Sequence, residues 1–313
     1  MANNEQRTKN KKQKTNICLT VAGLDPSGGA GIIADIKTFA AFDCFATAAV
    51  TSLTFQNTTG VFGAIHQTGE SLRNQIVPIV EDFKIAALKT GMLPTREIIE
   101  AVAALVKEFD LPNFVVDPVV RSTSGFDLID DAALRALIEN LFPLARVVTP
   151  NRPEAERIAR IKIETETDIR RAAEIMHNFG ARAVLIKGGH LDSITNYELQ
   201  ITNCEDDARG EQRTKDKGQR TNRKPRLAKD YLFENGDLTI FETEYIETTA
   251  THGTGCTLAA GIAANLARGE SLRRAIENAK KFVTIAIKTA AGIGRGHAPV
   301  NHDPKLLPKS PDE

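Results

Sequence analysis

Ile17-Cys-Leu-Thr-Val-Ala-Gly-Leu-Asp-Pro-Ser-Gly-Gly-Ala-Gly-Ile-Ile-Ala-Asp-Ile-Lys-Thr-Phe-Ala-Ala-Phe42 contains one complete structural unit. Ile17 to Ala22 is a short apolar run with β-branched residues and reads as a buried strand. Gly28, Gly29 and Gly31 then make a turn that lets backbone pass close to a ligand. Ala30 to Phe42 carries apolar residues at helical spacing and reads as a helix. The glycine spacing is neither G-x-G-x-x-G nor G-x-x-x-x-G-K-[ST], so a dinucleotide fold and a P-loop are both disfavoured. The same strand-to-helix step recurs along the chain. Strands are expected at Ala46–Leu53, Ala86–Lys89, Asn113–Asp117, Arg146–Thr149 and Ala183–Lys187. Helices are expected at Ser71–Asp82, Thr95–Glu108, Asp130–Leu141, Pro153–Ala159, Glu166–Phe179, Thr254–Ala267 and Leu272–Ala290. Such alternation implies an α/β fold, with a mostly parallel sheet covered on both faces. Ligands of such folds bind at the carboxyl ends of the strands.

The chain has 313 residues, 42% hydrophobic and 26% charged, enough for one large domain with a full core. Its formal net charge is zero, so no overall field draws nucleic acid or an anionic membrane. The first sixteen residues are charged and lack the apolar core of a secretory signal. No apolar run reaches bilayer-spanning length. A cytoplasmic protein without nucleic-acid or membrane partners is expected. Cys18, Cys44, Cys204 and Cys256 are scattered without a C-x-x-C pair, which argues against a disulfide framework and a cysteine-rich zinc site.

One internal segment, about 204–229, breaks the alternation. It is polar, basic and nearly free of large apolar residues. Within it, Glu211 to Asn222 repeats the N-terminal Glu5 to Asn16, with nine of twelve positions identical in an ungapped alignment. Neither copy can bury enough apolar surface to offset its ordering entropy. The expected organisation is a disordered basic tail at 1–16, a single domain at 17–302 interrupted by an insertion at 204–229, and a short polar tail at 303–313.

Four polar groups fall at strand ends. Asp35 lies one helical turn past Gly31, where it could bind a polar substrate, face solvent, or pair with Lys37 or another neighbour. Asp117, Asn151 and Glu154 are oxygen ligands of the kind that hold Mg²⁺ with a nucleotide, directly or through water. Equally, Pro153 and Glu154 suit the first turn of a helix. Lys187 ends a strand ahead of two glycines and suits a phosphate contact, while His190 has no metal partner at helical spacing. Finally, Gly253-Thr-Gly255 would leave backbone N–H groups free at the start of the helix that Cys256 opens. That position predicts a lowered thiol pKa. His252 and Cys256 stand four apart but lack further metal ligands.

These blocks, AGLDPSGGAGIIADIKTF, QNTTGV, KTGML, DPVV…SG, TPNRPEAE, KGGH, HGTGCTLAAGIAA and GHAPVNH, occur in this order from about Ile17 to His302. Together they resemble the hydroxymethylpyrimidine/phosphomethylpyrimidine kinases, the thiamine-pathway members of the ribokinase-like superfamily. The resemblance implies a three-layer αβα fold and a homodimer. It implies two ATP-dependent phosphorylations, of 4-amino-5-hydroxymethyl-2-methylpyrimidine and then of its monophosphate, with Mg²⁺. It assigns Gly23, Asp35, Gln56, Met92 and Val119 to the pyrimidine, and Asn151, Glu154 and Lys187 to the nucleotide. Asp117 and Glu154 fall to the metal. Gly253, Thr254 and Gly255 match the anion hole, and Cys256 matches the family's proposed catalytic base. A small residue that only permits close approach is the alternative reading of Cys256. The chain departs from the family at Arg121-Ser-Thr and Phe126-Asp127. Pyridoxal or pyridoxine kinase is the alternative activity, and a non-catalytic ligand-binding relative the alternative of another class.

Overall fold

Strand β1 (Asn16–Leu24) is paired on both sides by parallel neighbours, β2 (Cys44–Asn57) and β4 (Ile85–Thr90). The computed structural model describes residues 15–120, 128–188 and 226–303. Beyond β4 the parallel series continues through β5 (Phe114–Val116), β6 (Val147–Val148) and β7 (Ala183–Lys187). Antiparallel strands close both edges: β3 (Gly60–His66) beside β2, then β8 (Leu227–Glu234) and β9 (Asp237–Glu244) beyond β7. The resulting order is β3-β2-β1-β4-β5-β6-β7-β8-β9.

Period-2 alternation sends successive side chains into two separate cores. Leu88, Phe114 and Val116 face one core, which is completed by helices α2 (Gly69–Asp82), α3 (Arg96–Glu108), α4 (Asp131–Asn140), α5 (Arg152–Ala159) and α6 (Glu166–Asn178). Ala87 and Val115 face the other, completed by α1 (Gly31–Ala41), α7 (Thr254–Ala267) and α8 (Leu272–Lys288). The sandwich is the expected three-layer αβα fold. Helix α7 is apolar nearly all round because it lies buried between the sheet, α1 and α8.

Six of the eight described α-helices begin with a side-chain cap: Thr68, Thr95, Asp130, Asn151, Thr165 and Ser271 each accept from a backbone N–H of the first turn. Helices α1 and α7 have none; their cap positions are Ala30 and Gly253. Both uncapped N-termini open on the same cleft.

The structure corrects the expected boundaries in one region. Leu227–Lys229, assigned to the insertion, begin strand β8 and pair with β9. Strands β3, β8 and β9 have no counterpart in the sequence reading. Their half-exposed, antiparallel pattern mixes polar with apolar residues and gives no continuous apolar run. The repeated segments, the loop at Arg121–Asp127, His190 and Cys204 lie outside the described residues.

Candidate active site

The cleft, of about 870 Å³, runs along the carboxyl ends of the parallel strands. At its centre two turns interlock. Gly253 has φ +83°, and a Cβ on it would strike the Gly29 carbonyl. Gly31 has φ +55°, and a Cβ there would strike the Gly23 carbonyl. Only glycine fits this approach. Of the expected anion-hole groups, Thr254 N–H turns back to the Thr251 carbonyl at 3.3 Å. The N–H groups of Gly255 and Cys256 have no acceptor among the described residues and remain available at the helix start.

The Cys256 thiol lines this centre. Its pKa is not lowered as its helix position predicted: it is pushed up to about 11. Burial is the main cause and outweighs the nearby Lys89 ammonium and the Gly31 N–H, while Asp35 and Asp117 push further upward. Cys256 is therefore a protonated thiol near neutral pH.

Gly23, Gln56, Met92 and Val119 all line the cleft. A Cβ on Gly23 would lie 3.2 Å from Met92 Sδ, so the glycine makes room for the thioether. Asp25, Thr54 and His252 join them. Asp25 accepts from Ser27 N–H (2.8 Å), Ser27 Oγ (2.7 Å), Ala30 N–H (2.9 Å) and His252 Nε2 (2.7 Å). Burial would raise the Asp25 carboxyl, but the hydrogen bonds from His252 and Ser27 outweigh it and hold the pKa below the usual range.

Asp35 is the exception. It does not line the cleft but is fully buried, accepting from Lys89 Nζ at 2.8 and 2.9 Å and from Thr20 Oγ1 at 2.6 Å. Its carboxylate is held in a core ion pair near Cys256. The partner is Lys89 rather than Lys37, which instead donates to the Gly28 carbonyl.

Lys187 Nζ, which also lines the cleft, donates to Asp117 Oδ1 at 2.8 Å, and Asp117 Oδ1 also accepts from Thr149 Oγ1 at 3.0 Å. Burial opposes charge on Lys187, but Asp117 and Glu154 outweigh it and raise its pKa. A Cβ on Gly255 would lie 3.3 Å from Lys187 Nζ, so this ammonium borders the uncapped helix start. Asn151 and Glu154 form a capping box on α5: Asn151 Oδ1 accepts from Glu154 N–H, and Glu154 Oε2 from Asn151 N–H. Both still border the cleft. Glu154 is pushed up to about 7, first by burial and then by Asp117, against the pull of Lys187.

A family profile described as phosphomethylpyrimidine kinase matches residues 25–217 and 214–301. The chain is 39% identical over 284 residues to the hydroxymethylpyrimidine/phosphomethylpyrimidine kinase of Bacillus subtilis, covering 91% of this chain and 93% of the relative. The chain belongs to the phosphomethylpyrimidine kinase family.

Other similarities agree with the membership. The chain is 41% identical over 287 residues to the thiamine biosynthesis bifunctional protein ThiED of Geobacter sulfurreducens, covering 91% of this chain; it spans about half (51%) of that longer protein. Among solved structures, an ADP complex of Bacillus subtilis pyridoxal kinase superposes with a TM-score of 0.76 at 33% identity, covering 94% of this chain and all of that one. A phosphomethylpyrimidine kinase from Clostridium difficile superposes with 0.69 at 34% identity, covering 87% of this chain and 100% of that one. The chain is thus a phosphotransferase.

In this kinase the sequence reading missed Asp25 and Lys89, and considered His252 only as a metal ligand. Asp25 had a signal, an Asp-Pro-Ser turn directly after a strand. Lys89 had a fainter one, a lysine ending a short apolar strand. Lys89 has no exposure at all; against burial, the Asp35 and Asp117 carboxylates raise its pKa and keep it charged. Removing one partner strands the other charge. Lys89→Met is expected to lose about 3–5 kcal/mol of stability in urea denaturation, and adding Asp35→Leu to recover most of it. An additive double variant would refute the coupling.

Proposed function

We propose that this kinase transfers the γ-phosphoryl group of ATP to the hydroxymethyl oxygen of 4-amino-5-hydroxymethyl-2-methylpyrimidine, and then to the resulting monophosphate. The observation that carries this reading is one cleft lined by Gly23, Gln56, Met92 and Val119, by Lys187, Asp117 and Glu154, and by an uncapped helix start. The Gln56 amide offers donor and acceptor side by side, matching an aminopyrimidine edge, while Met92 and Val119 offer apolar faces.

In the transfer, the oxygen–phosphorus bond to the acceptor forms as the bridge to ADP breaks. A loose transition state asks mainly for positioning and charge stabilisation. The free N–H groups of Gly255 and Cys256, with the positive end of α7, meet the charge on the moving phosphoryl group. Lys187 borders them and adds a half-buried ammonium.

The carboxylates fit Mg²⁺ in one specific way. Asp117 Oδ1 is taken by Lys187 and Thr149, and the Glu154 oxygens face the N–H groups of Asn151 and Val120. No cluster of three or more metal-binding side chains exists among the described residues. This suits an ion held largely by nucleotide and water, with Asp117 and Glu154 ordering its waters. When bound, it neutralises phosphate charge. Asn151 supports the same end by fixing Glu154.

The raised thiol bears on the role of Cys256. A protonated thiol cannot accept the hydroxyl proton, which we infer leaves late, to a phosphoryl oxygen or water. Cys256 then serves as a compact residue beside the anion site.

The homodimer expected from the resemblance gains support from the β2–β3 edge. Leu53 and its register partner Ile65 are exposed there, as are Phe55 and Phe62. Four exposed large apolar side chains on a sheet-edge ribbon favour burial against a second copy.

With ATP and Mg²⁺, mass spectrometry of products from hydroxymethylpyrimidine and pyridoxal offered side by side is expected to find the pyrimidine mono- and diphosphates; pyridoxal phosphate alone overturns the assignment. Cys256→Ser is expected to lower kcat less than about tenfold, below the contribution of a general base. A loss of about 10²–10⁴ that also erased the rise of kcat with pH would restore the base. Phe62→Asp with Ile65→Asp is expected to give a monomer in sedimentation, and an unchanged sedimentation coefficient counts against this interface.

A further inference from the structure

Three polar side chains of the cleft form a chain that the transfer chemistry leaves unused. Asp25, His252 and Gln56 all line the cleft, and Asp25 and His252 are 2% and 6% exposed. His252 Nε2 lies 2.7 Å from Asp25 Oδ2 and 3.4 Å from the Gln56 amide. The far end of that amide lies 3.2 Å from Thr54 Oγ1, which also lies 2.8 Å from the Leu24 carbonyl.

Donor and acceptor counting fixes the protons. Asp25 already accepts from Ser27 and Ala30, and as an ionised carboxylate it can only accept. The nitrogen of His252 that faces it must therefore carry a hydrogen. That nitrogen has no lone pair left for a Gln56 N–H. With the Gln56 nitrogen toward His252, two donors would stand face to face. Turning the amide over removes the conflict: Oε1 faces the His252 N–H, and Nε2 donates to Thr54 Oγ1, whose own hydrogen goes to Leu24. Each amide end keeps one further site, and these are left for the cleft.

His252 cannot readily drift from this position. A Cβ on Gly29 would lie within 3.1 Å of His252 Nε2 and 2.9 Å of Pro299 Cβ, so the ring is wedged between the glycine turn and the C-terminal strap. The His252 backbone is tied to the same strap, donating to Ala298 at 3.2 Å and accepting from Val300 at 3.3 Å.

We propose that Asp25 and His252 are positioning residues that lock the Gln56 amide in one of its two orientations, and so set the order of donor and acceptor offered to the ring. Gln56 reads the substrate; Asp25 and His252 determine which way round it reads. An aminopyrimidine edge, with a ring acceptor next to an amino donor, fits one orientation and meets like against like in the other. The specificity of the site then depends on a carboxylate and an imidazole that need not touch the substrate. This rests on the proposed pyrimidine kinase activity.

The test uses the full chain. His252→Leu is expected to raise the KM for hydroxymethylpyrimidine about tenfold or more, because a mispaired polar group costs more than a missing one. The KM for ATP is expected to stay within about twofold, since the proposed nucleotide contacts are untouched. His252→Gln, which returns an N–H near the same place, is expected to restore most of the pyrimidine KM. Unchanged KM values, or pyrimidine and ATP values rising together, overturn the proposal. Should His252→Leu fail to fold, NMR of the wild-type chain reads the orientation directly. Gln56 amide protons close to the Thr54 methyl group support the lock, and amide protons close to the His252 ring instead overturn it. If the wild-type chain makes no pyrimidine phosphate, the functional reading fails, while the amide contacts still report on the lock itself.

Discussion

The backbone of Gly29 passes so close to Gly253 that no side chain fits between them, and the rest of the site is arranged around that contact. It brings the starts of α1 and α7 to one point, although they lie more than two hundred residues apart in the chain. Both helices do without the side-chain cap that the other six carry. A side-chain cap would occupy N–H groups that at α7 remain free toward the cleft.

Around this point charges occur in buried pairs at strand ends. Asp35 pairs with Lys89 close to Cys256, and Asp117 with Lys187 beside Gly255, while Asp25 accepts a hydrogen bond from His252 beside Gln56. Each buried charge has a partner and further hydrogen bonds, the condition under which burial is tolerated. The two lysine pairs hold carboxylates and ammonium groups at fixed places without adding net charge. The same crowding raises the Cys256 thiol, since dehydration and two nearby carboxylates oppose the thiolate more than one ammonium favours it.

The parallel strands and the helices were legible because their apolar runs have a clear period and each run is long or sharply bounded. The edge ribbons were not, because alternation in Leu227–Glu234 is diluted by residues that face solvent. Site residues divide in the same manner. Gly253, Gly255, Gln56 and Lys187 stand next to turn or strand-end signals that local chemistry explains. Asp35 carries such a signal too, yet its side chain points into the core. Direction relative to a cleft is set by neighbours distant in sequence, here Thr20 and Lys89, and spacing alone does not carry it.

The sequence by itself determined the layer architecture, the strand ends that form the site, and the family, because period, turn chemistry and ordered motifs are all local properties of the chain. Only the tertiary structure decided that Asp35 is a core ion, that Glu154 and Asn151 cap one another, that Cys256 keeps its proton, and that His252 faces both Asp25 and Gln56. Each of these depends on which groups from distant segments share a small, poorly hydrated volume. Hydration and charge pairing there, rather than residue type, fix what a side chain can do.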